Sequence, residues 1–357
     1  MTKVGLVLAA GALLFAAGCT GGDDDDDGTA AGRAQTPAGG TLAQVKARGT
    51  LNCGVNDAVP GFGFVTEAGD FEGFDIDYCK AIAAAVLGDP DAVEYRPLTA
   101  EQRFTALQAG EIDVLIRNTT WTSERDGARG ATFLTTTFYD GQGIMVRADS
   151  QFQTLDDLGG TTVCVLSGTT TELNLASVFA ARDIEHTPLT FESNDLIQEA
   201  FIAERCDAWT SDKSQLAGVR SAWPDENGGP DALRILEESF SKEPLGPVVR
   251  DGDSQWAQVV DWVVIATIQA EEFGVTSANV NEMITSEDPE VRRLLGGEDF
   301  DAGLGLPADF AVKVIRAVGN YGEIYDRNVG PDTPLGLERG INALWTDGGL
   351  HYAPPYR

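Results

Sequence analysis

Two stretches of this chain repeat the same order of apolar and polar positions. In the first, the apolar run Leu51 to Val55 reads as a buried strand, and Asp75 opens a helix with Ile76, Cys79, Ile82 and Val86 on one face. Thr99 and Gln102 then form the reciprocal pair of a capping box before a helix that ends at Gly110, and a second strand runs from Ile112 to Ile116. In the second stretch, Thr162 to Leu166 is the strand, Thr169 to Thr171 open a helix carrying Leu173, Ala176 and Phe179, and a helix through Leu196, Ala200 and Phe201 leads into the strand Cys206 to Thr210. Strand and helix in alternation predict an α/β architecture. The apolar run Val259 to Ile268 is interrupted by Asp261 and Thr267, so it reads as a core helix rather than a membrane span.

The repetition reaches the polar residues. Asp113 and Asp207 start the two equivalent strands, and Asn118 and Asp212 stand at the same offset beyond them. If the C-terminal ends of both strands point into one cleft, Asn118 and Asp212 face each other across it; two ordinary helix-strand turns that coincide are the plain alternative. Directly after Ile116 comes Arg117-Asn118-Thr119-Thr120-Trp121-Thr122-Ser123-Glu124-Arg125. A loop of hydroxyls, an amide and a guanidinium at the end of a buried strand is where an open sheet presents groups to a small ligand, and it suits a carboxylate. Trp121 is expected in the core.

The first forty residues belong to neither pass. Lys3 precedes an apolar run from Val4 to Ala17, too short and too lightly flanked to span a bilayer, which reads as an export signal. Its ending, Ala17-Gly18-Cys19, resembles a bacterial lipobox, in which Cys19 would be lipidated; Ala16 stands where Leu is commoner, and cleavage by the ordinary signal peptidase is the alternative. Residues 20–40, with Asp23 to Asp27, lack apolar periodicity and read as a flexible acidic tether. Adjacent carboxylates on a flexible chain repel and stay solvated, so the run is read as solvating and not as a cation site.

The chain beyond this tether is long enough for two lobes, since single cores rarely grow beyond ~250–300 residues. A formal net charge of −31 and a pI near 4.2 exclude a nucleic-acid partner, which needs clustered Lys and Arg. Cys53, Cys79, Cys164 and Cys206 are an even set in an exported chain and read as disulfides. Of three pairings, Cys53 with Cys79 and Cys164 with Cys206 keep each bridge within one lobe. A zinc site is the alternative, but no CxxC spacing exists and His186 and His351 are the only histidines.

Gly73-Phe74-Asp75-Ile76-Asp77, the run Arg103 to Val114, the loop Arg117 to Arg125 and Ser167-Gly168-Thr169-Thr170-Thr171-Glu172 resemble the polar amino-acid class (family 3) of bacterial solute-binding proteins of ABC importers. Leu51 to Asn56, Asn118 to Thr122, Tyr139 to Gly143 and Val318 to Tyr325 are most similar to the general L-amino-acid receptors of that class. The resemblance covers Thr41 to Arg357. It implies a two-lobed type II periplasmic-binding-protein fold with two hinge strands and a ligand cleft between the lobes. Lobe 1 would comprise residues 41–142 and 247–357, lobe 2 residues 143–246, with crossings near Gly141 to Gly143 and Pro244 to Pro247. The segment after Phe273 exceeds what smaller members of the class need. Leu304 to Pro307, a helix around Phe310 to Val318, and Asn342 to Trp345 are expected to wrap lobe 1, with a partner surface as a further reading.

An amino-acid ligand explains the residue types. Its carboxylate needs a bidentate cation, Arg125, and backbone N–H groups at the helix start near Thr169 and Thr170. Its ammonium needs Asp212, the hydroxyl of Thr120 and carbonyls near Asn118. The resemblance also places Asn56, Arg117 and Thr171 around the ligand's side chain, with Phe62 as an apolar wall. The duller alternatives are a surface ion pair of Arg125 with Glu124 or Asp126, and Asp212 as a helix cap. Related receptors for cationic side chains carry an acid where Asn56 stands, so a cationic ligand is disfavoured; broad polar and neutral amino acids, or glutamate and aspartate, remain. The resemblance implies a monomer that hands its ligand to a membrane permease driven by a separate ATPase, outside the cytoplasmic membrane and anchored by lipid, with no cofactor, metal or catalytic residue. A cyclohexadienyl-dehydratase-like enzyme and a sensor receptor are the alternatives on the same fold.

Overall fold

The computed structural model describes residues 40–298 and 300–357. The expected export segment with Cys19, and residues 20–39 of the expected tether, lie outside the described residues. The first pass of the chain supplies β1 (Leu51–Val55), a small antiparallel sheet of β2 (Ala58–Val59), β3 (Gly63–Val65) and β4 (Phe71–Glu72), then β5 (Val93–Pro97), β6 (Val114–Leu115) and β7 (Ala131–Phe133). After β8 (Phe138–Asp140), the second pass supplies β9 (Gln142–Arg147), β10 (Thr161–Leu166), β11 (His186–Phe191), β12 (Ala208–Asp212) and β13 (Leu233–Ile235). β14 (Glu243–Leu245) runs back antiparallel to β8, and β15 (Val248–Arg250) rejoins the first sheet.

Two five-stranded sheets share one plan: β5-β1-β6-β15-β7 and β11-β10-β12-β9-β13. In each, the first strand lies between the second and third, all parallel. In each, the fourth place belongs to the strand next to a crossing, β15 or β9, running antiparallel. Even the strand starts match, since Asp113 accepts the amide of Asn52 and Asp207 the amide of Thr162, both at 2.8 Å.

Period-two alternation divides each sheet's faces. In β10, Val163 and Val165 join the core under α5 (Thr170–Ala181), while Cys164 and Leu166 join the core with α6 (Asn194–Ile202) and α7 (Lys213–Ser221). The first sheet buries α2 (Phe74–Leu87) and α8 (Ser254–Glu272) on one face and α3 (Arg103–Ala109) on the other; α1 (Gly40–Arg48) and α4 (Ser123–Ala128) flank it. Among the described residues no helix is long and apolar enough to cross a membrane. The disulfides join Cys53 on β1 to Cys79 on α2, and Cys164 on β10 to Cys206 in the loop that leads into β12.

Several local expectations are corrected. Gly73, not Asp75, precedes α2; Asp75 is buried inside the first turn, its carboxylate turned to the amide of Asn118. Thr171, Leu175 and Phe179 form the buried face of α5, leaving Leu173 and Ala176 outward. In α6, Ile197, Ala200 and Phe201 face in and Leu196 faces solvent. Trp121 is outside the core, 42% exposed and stacked on Phe133.

Short helices α9 (Val280–Met283) and α10 (Pro289–Leu294) follow α8, then α11 (Phe310–Val318), packed on α2, and α12 (Tyr321–Asn328). The last residues return to the crossing strand. Asn342 accepts from the amide of Tyr139 at 2.7 Å and donates to its carbonyl at 3.0 Å, and Tyr321 donates to the carbonyl of Thr137. His351 is buried against Tyr139 and Tyr321, and burial with the nearby Arg339 charge pushes its pKa down to about 3, so it is neutral.

Breaking the second disulfide tests its share of this stability. It closes a span of 42 residues, for which loop entropy predicts about 4 kcal/mol. Denaturant unfolding of the oxidised protein against the Cys164→Ala, Cys206→Ala variant should show a loss of that order.

Candidate functional site

The loop after β6 is held in an unusual backbone state. Asn118 has φ of +30°, tolerable for a short polar side chain, and its amide donates to Asp75 Oδ2 at 2.7 Å. The chain then lies along the return crossing, with Trp121 N donating to the carbonyl of Pro244 at 2.9 Å. Thr122 caps α4 through its hydroxyl, which turns Arg125, three residues on, inward. Arg125 is 6% exposed, donates to the carbonyl of Thr120 at 2.9 Å and lies over the ring of Phe104. Its acidic neighbours are engaged elsewhere: Glu124 pairs with Arg129, and Asp126 accepts the amide of Phe133.

The second sheet presents its own strand ends to this loop. Thr169 caps α5, accepting from Glu172 N at 3.1 Å, and its hydroxyl lies 2.8 Å from that of Thr171. The carbonyl of Thr171 accepts from Gln142 Nε2. Thr170 Oγ1 stands 3.3 Å from Thr120 Oγ1 and donates to Glu243 at 2.8 Å. Asp212 ends β12 and precedes α7, yet its side chain caps nothing. Instead Oδ2 lies 3.4 Å from Asn118 Nδ2, and Oδ1 is buried without a partner. Asn118 Nδ2 also reaches Gln215 at 3.0 Å, while its oxygen accepts from Asn56 at 2.5 Å. Gly218, on α7, lies so close to the carbonyl of Pro60 that any side chain there would collide with it.

Eight of the nine expected residues thus line one seam between the two sheets' strand ends. Arg117 lies beneath it, donating to the carbonyl of Leu98 at 2.6 Å. Phe62 belongs instead to an aromatic core with Phe74 and Phe138. Next to Arg125 opens a cavity of about 730 Å³, lined among others by Phe104, Thr122, Thr169 and Thr170. A second cavity, at Arg147 and Trp223, has its guanidinium already engaged by the carbonyls of Phe201 and Cys206.

Charge decides what the seam can hold. Arg103, Arg117 and Arg125 are each at most 6% exposed, and none forms an ion pair among the described residues. Burial pulls all three below the usual guanidinium range. For Arg103 the repulsion of Arg125 and Arg117 adds to it; for Arg117, lowered to about 10, Asp57 and Asp75 oppose it. The acids are shifted the other way. Burial, with Asp140 and Glu243 nearby, raises Asp212 well above the carboxylate range against the pull of Arg125 and Arg103. Burial likewise raises Asp140, and raises Asp75 to about 7 against its bond from Asn118. Cations lacking a bidentate anion and an acid lacking a cation call for one ligand bearing both charges.

Several participants escape the sequence reading. Arg103 precedes Ala106 and Leu107 by three and four positions, the spacing of one buried helix face, and that pattern is a usable signal. Glu243, 1% exposed, sits between Lys242 and Pro244 and gives none. Gln142, Gln215 and Asp140 reach the seam only through strand pairing and helix placement. Both histidines lie elsewhere, His186 against Phe179 and His351 near the C-terminus. Among the described residues no cluster of three or more His, Cys, Asp or Glu could hold a metal.

Residues 51–279 match the family described as bacterial extracellular solute-binding proteins, family 3. The chain is 51% identical over 320 residues to the General L-amino acid-binding periplasmic protein AapJ of Rhizobium johnstonii, covering 89% of this chain and 93% of that one. It is 49% identical over 319 residues to the Glutamate/glutamine/aspartate/asparagine-binding protein BztA of Rhodobacter capsulatus, again 89% and 93%. Among solved structures, an ABC transporter / periplasmic binding protein from Brucella ovis with glutathione bound superposes with a TM-score of 0.86 at 48% identity, covering 89% of this chain and 99% of that one.

The environment of Asp75 can be read directly. In a spectroscopic titration of side-chain carboxyls, one group should titrate near pH 7 and be missing from Asp75→Asn; absence of that transition in the parent protein would contradict the burial argument.

Proposed function

This chain belongs to the bacterial extracellular solute-binding proteins, family 3, and from that premise we propose that it captures free L-amino acids by closing two lobes on them and delivers them to an ABC importer permease. The observation that carries this reading is the opposition of two incomplete charges at one buried seam. Among the described residues Arg125 has no carboxylate partner, and Asp212 has a buried oxygen with no donor. The ligand's carboxylate takes the guanidinium of Arg125 and the N–H groups at the start of α5 near Thr169 and Thr170; its ammonium takes Asp212, the Thr120 hydroxyl and carbonyls near Asn118. Asn56, Arg117 and Thr171 border the side chain.

Relatives named for general L-amino acids and for glutamate, glutamine, aspartate and asparagine support a broad polar range. Arg103 and Arg117 favour side chains that are neutral or acidic and disfavour cationic ones. Residues 41–142 and 247–357 form the first lobe in this reading and 143–246 the second. A ligand touching both favours closure by its differential affinity, and near-complete switching takes roughly 5 kcal/mol. The receptor works as a monomer outside the cytoplasmic membrane, held there by lipid on Cys19 and the acidic tether, without cofactor or metal. We read it as a receptor, in line with relatives named as binding proteins; incubation with prephenate or arogenate should yield no product.

A thermal-shift screen against the common amino acids tests the class, since a ligand selective for the folded state raises the melting temperature. Neutral polar and acidic amino acids should do so; no shift from any would refute the reading. By calorimetry, Arg125→Ala and Asp212→Ala should each weaken binding about a hundredfold or more, as when a buried charge loses its partner.

Proton linkage gives a further check. Empty, Asp212 holds its proton above the ordinary carboxylate range, and an ammonium beside it favours the ionised form. Binding therefore releases protons, and affinity rises with pH until the empty site is itself ionised. Calorimetry in buffers of different ionisation heat should detect this release in the parent protein and lose it in Asp212→Asn.

A further inference from the structure

Glu243 is a buried carboxylate that the ligand clamp does not use. It lies on the returning crossing strand β14, opposite Asp140 on β8, and is 1% exposed. Three neutral groups donate to it: Thr170 Oγ1 to Oε2 at 2.8 Å, and Asn174 Nδ2 at 2.8 Å and Ser241 Oγ at 2.6 Å to Oε1. It forms no ion pair within 4 Å among the described residues, although its charge acts favourably on Arg125.

A hydroxyl has one proton to donate and two lone pairs, whereas an ionised carboxylate only accepts. The Thr170 proton is therefore committed to Glu243. Thr170 Oγ1 is the only side-chain or backbone partner of Thr120 Oγ1 among the described residues, 3.3 Å away, and with its own proton committed it can only accept from Thr120. The order is Thr120 to Thr170 to Glu243, crossing from the first sheet's loop to the second sheet's helix and ending at the hinge strand. With its proton drawn along this chain, Thr120 turns lone-pair density toward the seam.

We propose that Glu243 is a positioning residue for recognition of the ligand's ammonium group: by taking the proton of Thr170 it makes Thr120 an acceptor for the cationic end, complementing Asp212. This rests on the amino-acid reading of the site. Glutamine at position 243 can donate to Thr170 through its amide. That reverses the chain, so that Thr170 donates to Thr120 and the Thr120 proton points into the seam against an incoming cation.

Titration calorimetry with L-glutamine and with glutaramate, which matches it but lacks the ammonium, separates this role from a structural one. Glu243→Gln should lower the affinity for L-glutamine relative to glutaramate about tenfold or more, the scale of a hydrogen bond to a charged group, because the change in the field at Arg125 acts on both carboxylates alike. Thr170→Val should repeat that pattern, Thr170→Ser should restore parental discrimination, and the double variant Glu243→Gln, Thr170→Val should be no weaker than either alone. The Thr170 series stands by itself if Glu243→Gln does not fold. Equal losses for both ligands, additive losses in the double variant, or unchanged discrimination in Glu243→Gln and Thr170→Val would overturn the role of Glu243 while leaving the amino-acid reading intact. Failure of the parent protein to bind L-glutamine would overturn both.

Discussion

The constraint on which the structure turns is the burial of charges that the described residues do not pair with one another. Three guanidiniums and several carboxyls meet where the strand ends of two sheets come together, and Arg125 and Asp212 keep hydrogen-bonding capacity unused. Removing such groups from water carries a penalty of several kcal/mol per ion. It is tolerable because it is spread over neutral donors and acceptors: the carbonyls of Thr120 and Leu98 and the backbone and side-chain amides of Asn118. What this network leaves unsatisfied defines the chemistry of what may enter.

The fold supplies the rigidity that such a site demands. Each parallel trio of strands brings its loops to one edge, and each sheet is braced by a disulfide that ties a strand to its own layer. The seam itself consists of loop residues and helix starts, with small side chains permitting close approach. Gly218 lets α7 lie against Pro60. Between the two sheets run only β8 and β14, and the C-terminal segment fastens β8 through Asn342, Tyr321 and His351.

Much of this is legible in the order of residues. Loop residues of the right chemistry follow a buried strand, and the repeated offset of Asn118 and Asp212 anticipates two groups that do meet, across 94 positions of sequence. The intrachain cysteine pairs follow from keeping bridges local. Less legible are helix faces: Leu173 and Leu196 satisfy an apolar period yet point to solvent, because a short helix laid on a sheet face buries only the few positions that touch it. Trp121 misleads for a related reason, since a large ring stacked on one neighbour can remain half open.

By itself, then, the chain's sequence determined the alternation of strand and helix, the repeat, the disulfide pairs and the kinds of groups at the strand ends, all of which rest on local spacing and on residue chemistry. Tertiary structure alone decided which charges are buried and which are paired. Glu243 looks like a surface residue in sequence, and only contacts such as that with Thr170, 73 residues away, remove it from water. The cost of an unpaired charge depends on its surroundings rather than its neighbours in the chain, so that part of the site could be read only from the folded molecule.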